Sequence, residues 1–289
     1  MGSDMAQSIT DKPRVDDRDW TKLTFGEQVK MLEVEGYLVL PNVLTDEKIT
    51  QLREEVSDIE TRGTDYSEKQ RGGIGSLAFR GGNITRLIAN PPTISFLERL
   101  FGDELVVMSY AYARSEPGHP GISLHTDGQP WGSEIFGYEG SVPVLVRVLN
   151  YLEDLTLEVS PFRVVPRSHL SMHADGNPYL RYESHPDEVM VPVKAGSAVL
   201  INHRVFHGNF PNNGEYAREM LAIAYRPAWG GPIHDVEQWP SDEVETLPDD
   251  IKPYFKDKNS HKGDFHGGNK PKGMKSEAPG IDYNRWEIT

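Results

Sequence analysis

The chain has no cysteine among its 289 residues. That absence excludes disulfides, thiolate metal ligands and a cysteine nucleophile together. Positive charge is also scarce: 30 Lys and Arg stand against 44 Asp and Glu, a formal net charge of −14. A surface of that sign repels nucleic acid and anionic membrane, so neither is expected as a partner. No apolar run approaches the roughly 18 residues of a membrane span. Met1 to Arg18 is polar and lacks the apolar centre of a secretion signal. These absences predict a soluble, cytoplasmic protein. Oligomeric state is not legible from them.

What is present suffices to fold. Apolar residues make up 37% of the chain, with 5 Trp, 12 Tyr and 10 Phe, and a chain of this length buries a sizeable core. Residues 1–20 read as a tail. Phe25 to Gly36 is predicted helical, with Phe25, Val29 and Leu32 on one face. Gly36 to Pro41 follows as a short buried strand. A second helix is expected from Thr45 to Glu60, capped by the Thr45 hydroxyl, with Asp46 and Glu47 at the positive end of its dipole. A third runs from Pro92 to Phe101 and stops at Gly102.

From Leu105 the texture changes. Val106 to Arg114, Val142 to Leu152, Phe162 to Val165, Glu188 to Val193, Ala198 to Asn202, Val205 to Gly208 and Met220 to Arg226 read as strands. They are short, rich in β-branched and aromatic residues, and separated by Gly, Pro, Asn and Asp. Helices followed by strands predict a mainly β protein with N-terminal helices, built on a double-stranded β-helix or jelly-roll core. One domain is expected over residues 21–238, with 239–289 as an irregular segment packed on it. Arg71-Gly72-Gly73-Ile74-Gly75-Ser76 and Arg80-Gly81-Gly82-Asn83 lack the strand–glycine–helix context of a dinucleotide site. They read as a basic loop pair, either plain surface or a substrate lid.

Two segments carry metal chemistry. In the first, Ser123-Leu124-His125-Thr126-Asp127-Gly128, His125 and Asp127 can bind one cation side by side. In the second, His207-Gly208-Asn209-Phe210-Pro211-Asn212-Asn213, His207 can complete the set. Two imidazoles and one carboxylate on one face leave the remaining positions open, the pattern of non-heme iron(II) oxygenases. A His-x-Asp triplet alone is weak: His173-Ala174-Asp175 and His185-Pro186-Asp187 also occur. Spacing separates them. Asp127 precedes His207 by 80 residues, room for the four or five strands that must intervene, whereas Asp175 leaves room for two. His203 competes with His207, because strand alternation puts both on the same face; the turn after His207 favours the latter. Arg218, eleven residues beyond His207, opens a strand and can clamp a carboxylate through paired hydrogen bonds. Its bland alternative is a surface ion pair with Glu215 or Glu219.

Taken together, Leu124-His125-Thr126-Asp127, Val164-Val165-Pro166-Arg167-Ser168-His169-Leu170, the run Asn202 to Asn212 and Arg218 resemble the phytanoyl-CoA dioxygenase family. The resemblance covers roughly residues 30 to 230. It implies iron(II), with 2-oxoglutarate and molecular oxygen as co-substrates. His125, Asp127 and His207 would be the metal ligands and catalytic centre, and Arg218 would anchor the co-substrate's tail carboxylate. Asn209 stands where the family often has a serine that contacts the co-substrate. Glu158-Val159-Ser160-Pro161 replaces a frequent Asn-Gly, and Arg167 a frequent glycine; neither removes a ligand. The implied activity oxidises an unactivated C–H bond, most simply by hydroxylation, and yields succinate and carbon dioxide. The presence of Asp127 argues against halogenation.

Residues flanking the motifs are candidates for the pocket. Tyr112 is placed with Arg218 and Asn209 at the co-substrate. Tyr110, Arg114, Gln129, Trp131 and Arg147 are placed at the substrate. Plain core is the alternative for both tyrosines, and an outward ion pair for Arg147. Two rival functions remain at this point. Zinc(II) on the same ligands could hydrolyse a substrate, although Arg218 has no part in that chemistry. A non-catalytic jelly-roll binding module with a vestigial site is the other.

Overall fold

A computed structural model describes residues 13–102, 104–125, 145–170, 184–228, 230, 236–259 and 286–287. The chain opens with β1 (Arg14–Val15) and a tight turn of helix, Trp20–Lys22. Helix α1 (Phe25–Lys30) follows and widens into a π turn over Met31–Glu35. Thr24 starts it with a reciprocal cap: the Glu27 N–H donates to the Thr24 hydroxyl at 3.3 Å, and the Thr24 N–H donates to the Glu27 carboxylate at 2.8 Å. Gly36, at φ +86°, ends it. Next come β2 (Tyr37–Leu40), α2 (Asp46–Ser57), β3 (Thr61–Thr64), β4 (Ser67–Gly73), α3 (Gly82–Arg86) and α4 (Pro91–Phe101). The Lys48 N–H donates to the Thr45 hydroxyl at 3.2 Å, the cap expected there.

The remaining strands are β5 (Leu105–Ser115), β6 (Ile122–His125), β7 (Val146–Tyr151), β8 (Phe162–Val164), β9 (Val189–Val191), β10 (Ala198–Asn202), β11 (His207–Asn209) and β12 (Arg218–Pro227). A short helix, α5 (Ser241–Glu245), lies beyond them. One sheet has the order β2-β10-β7-β12-β5-β4-β3 and the other β1-β9-β8-β11-β6. This is the double-stranded β-helix, mostly β with few helices.

The larger sheet is buried on one face by the helices. Tyr110 donates its hydroxyl to the Ile84 carbonyl at 2.8 Å, and Tyr225 to that of Ile88 at 2.8 Å, so both reach out of the sheet into α3 and the turn behind it. Leu32, Leu52, Ile88, Leu97 and Phe101 fill the space between. The other face looks across at the smaller sheet, where Tyr37 meets Phe162 with ring centroids 6.4 Å apart.

Two expectations change. Arg71 to Gly73 is not a loop: it ends β4, which pairs with β5, and Gly82 begins α3. The hairpin was hidden because an edge strand facing solvent needs no apolar alternation. Arg14 and Val15, assigned to a tail, pair parallel with Val189 and Met190, and Asp16 accepts the Tyr37 hydroxyl at 2.6 Å. The segment from residue 239 is anchored at its start, where Trp239 donates its ring N–H to the Val107 carbonyl at 3.0 Å.

Candidate active site

His125 is the last residue of β6 and His207 the first of β11, and the two are direct cross-strand partners. Their ring centroids lie 4.4 Å apart. Each ring is held in the same way. The His125 Nδ1 lies 2.8 Å from the Ser123 carbonyl, and the His207 Nδ1 lies 3.0 Å from the Val205 carbonyl. A carbonyl only accepts, so Nδ1 must carry the proton and Nε2 the lone pair. That is the tautomer a metal-ligating histidine needs, fixed by a hydrogen bond behind the ring. Phe162 stacks on the His207 ring at 6.2 Å.

The close pairing depends on Gly208. A Cβ there would collide with the carbonyl oxygens of Ile122 and Ser123. The register between β11 and β6 shifts at this point, which brings the β6 backbone over the glycine. Asp127, Gln129 and Trp131 lie outside the described residues, as do His173 and Asp175. Among the described residues, no third carboxylate or imidazole joins the histidine pair. His203 sits in the turn after β10, with its Nδ1 3.1 Å from the Leu145 carbonyl. His185 accepts the Asp187 N–H at 3.1 Å, so that His-x-Asp pair closes a turn.

Arg218 opens β12 and is fully buried. It pairs across the sheet with Ser115 and donates to that residue's hydroxyl, which in turn donates to Gln70 Oε1 at 2.6 Å. Its guanidinium lies 5.9 Å from the centre of the Tyr151 ring. Among the described residues no carboxylate pairs with it, and its Nε has no partner at all. An unpaired buried guanidinium is costly, and burial pulls its pKa down. A carboxylate from a ligand would relieve both. Asn209 donates its amide to the Ser160 carbonyl at 3.0 Å. Tyr151 has its pKa raised by burial, with Arg218 and Asn209 acting against that rise.

Not every candidate comes to this place. Ser115 faces Arg218, so alternation along β5 puts Tyr110, Tyr112 and Arg114 on the opposite face. Tyr112 donates to the Glu219 carboxylate at 2.6 Å and Arg114 to the same oxygen at 3.2 Å, outside the barrel. The expectation that these three line the pocket is therefore corrected; core and ion-pair roles describe them. Arg147 is different. It shares a face with Leu149 and Tyr151, and the register of β7 on β12 sets it opposite Ala224 on the inner side.

His119 escaped the sequence reading. It sits in the turn after β5, is 1% exposed, and among the described residues neither ring nitrogen has a partner. Burial, and then the charge of Arg218, lower its pKa to about 4. A histidine between two glycines just upstream of a His-x-Asp motif was the only signal.

Histidines presented in this way within a double-stranded β-helix are what an iron(II)- and 2-oxoglutarate-dependent oxygenase requires of its imidazole ligands. The pattern of the phytanoyl-CoA dioxygenase (PhyH) family matches residues 32–220, and the chain belongs to that family. It is similar to the L-proline trans-4-hydroxylase of Streptomyces griseoviridis, 24% identical over 70% of this chain and 86% of that one. Solved structures share the fold. HygX from Streptomyces hygroscopicus, with nickel, 2-oxoglutarate and hygromycin B bound, superposes with a TM-score of 0.58 at 20% identity, covering 70% of this chain and 86% of that one. The carbocyclase SnoK from nogalamycin biosynthesis gives 0.56 at 23% identity, over 73% and 87% of the two chains. The protein is thus a 2-oxoglutarate-dependent dioxygenase that uses iron, and the hydrolase and binding-module readings fall away. Among the described residues no helix is long and apolar enough to cross a membrane.

Proposed function

We propose that His125, Asp127 and His207 hold the iron(II), and that Arg218 and Asn209 hold 2-oxoglutarate. The observation that carries this is the pair of imidazoles 4.4 Å apart, each tied at Nδ1 to the carbonyl two residues before it. The unpaired guanidinium of Arg218 supports it, because a dicarboxylate co-substrate supplies the missing anion. When bound, iron(II) with oxygen couples decarboxylation of 2-oxoglutarate to oxidation of a substrate C–H bond, giving succinate, carbon dioxide and, in the simplest outcome, a hydroxylated product. The chain's own residues orient the two co-substrates and exclude water.

The substrate is a small molecule met in the cytoplasm, and Arg147 marks its side of the barrel. Arg147 stands four residues from Tyr151 on the same inner face, about 13 Å along β7. That separation directs it toward a ligand other than the one at Arg218. It favours a substrate bearing an anionic group. Gln129 and Trp131, close in sequence to the metal motif, remain candidates for substrate contact.

The test is substrate-stimulated succinate formation with iron(II), 2-oxoglutarate and air. His125→Ala, Asp127→Ala and His207→Ala should abolish it, whereas His173→Ala should not. Full activity in Asp127→Ala would overturn the ligand assignment.

A further inference from the structure

His119 is fixed as firmly as any residue near the site. The Gly118 N–H donates to the Asn212 carbonyl at 2.7 Å, and the Asn212 N–H donates to the His119 carbonyl at 2.9 Å. The Asn212 side-chain amide donates to the Ser115 carbonyl at 2.9 Å, so one asparagine ties the turn to the end of β5. Tyr66 covers the ring from outside, with centroids 6.3 Å apart. The imidazole is therefore placed and shielded, and among the described residues both its nitrogens are unused. Folded proteins rarely leave buried polar atoms unpartnered, and each such atom costs about 1–3 kcal/mol.

These nitrogens are not alone. The Arg218 Nε is also buried without a hydrogen-bond partner among the described residues. Arg218 pairs across the sheet with Ser115 and donates to its hydroxyl, and Asn212 ties Ser115 to His119, so the imidazole and the guanidinium share one neighbourhood. Unused donors gathered around a guanidinium fit a carboxylate, which accepts several hydrogen bonds at once. Held neutral by burial and by the guanidinium, His119 offers one N–H without adding a second repelling charge.

We propose that His119 is a second donor to the distal carboxylate of the keto-acid co-substrate, beside Arg218, and that it helps select a dicarboxylate over a monocarboxylate. This rests on the 2-oxoglutarate reading above and names a positioning residue within it. One N–H to a charged oxygen corresponds to roughly a tenfold change in affinity.

The experiment compares two keto acids on the iron(II)-loaded protein without oxygen, by calorimetry. One is 2-oxoglutarate; the other is 2-oxopentanoate, which has a methyl group in place of the distal carboxylate. His119→Ala should weaken 2-oxoglutarate about tenfold and leave 2-oxopentanoate unchanged. His119→Gln, which keeps an N–H donor, should recover part of the loss. Equal weakening of both ligands would overturn the proposal and make the ring a structural filler. No change for either would also overturn it, the nitrogens then being satisfied by buried water. Wild-type protein that binds neither keto acid would bring down the oxygenase-site reading itself and this inference with it. Loss of 2-oxoglutarate in Arg218→Met but not in His119→Ala would leave that reading standing and reject His119 alone.

Discussion

A histidine buried beside an arginine links stability to acid. The folded-state pKa of His119, lowered to about 4 by burial and then by Arg218, lies below the ordinary value near 6.5. The unfolded chain therefore binds more protons between these limits. The stabilising contribution is complete above about pH 6.5 and is lost as pH falls toward 4. His169, lowered mainly by burial, acts in the same direction. In urea titrations without metal or keto acid, His119→Gln should lose stability less steeply between pH 6.5 and 4 than wild type, by about one proton. An identical slope in the two proteins would show that His119 does not titrate below the unfolded chain. The proposed metal pair follows a simpler rule at this scale. His125 and His207 were legible because their spacing and residue types name their chemistry; His119 was not, because losing every partner is a property of packing that no local pattern records. Gly208 lies between: its presence was plain, but its reason, the carbonyls of Ile122 and Ser123 overhead, exists only in the fold.

Strands explain which candidates succeed. On β5, alternation divides Ser115 from Tyr110, Tyr112 and Arg114, and a one-residue difference moves a side chain from the site to the helices. On β7 the same rule keeps Arg147 inside. Arg147→Ala should raise the substrate KM tenfold or more while leaving 2-oxoglutarate affinity within about twofold; an unchanged KM would remove Arg147 from substrate recognition. At the far end of β12, Arg226 serves structure. It is 2% exposed and donates to the carbonyls of Pro227 at 2.9 Å, Gly230 at 3.0 Å and Lys258 at 2.8 Å. These bonds hold the chain after the barrel against β12. Arg226→Met strands several acceptors and should cost about 3 kcal/mol or more in chemical denaturation. A loss below about 1 kcal/mol would mean that water replaces the guanidinium.

For the whole molecule, the sequence patterns went furthest where one local rule governs. Thr45, Gly36 and Gly102 bound their helices by capping, and apolar runs marked the central strands of both sheets. Patterns failed at the edges and in the strand next to one: β1, β3 and β6 at edges, and β4 beside β3, are short, partly exposed or polar, and hold their place through neighbours. β6 matters most, since it carries His125 yet shows no strand signal of its own. The account of function rests on that strand delivering its histidine opposite His207. Anaerobic iron(II) binding measured by equilibrium dialysis tests this most directly. The account predicts one iron per chain in the wild type and its loss in both His125→Ala and His207→Ala. Stoichiometric, equally tight iron in either variant would contradict it.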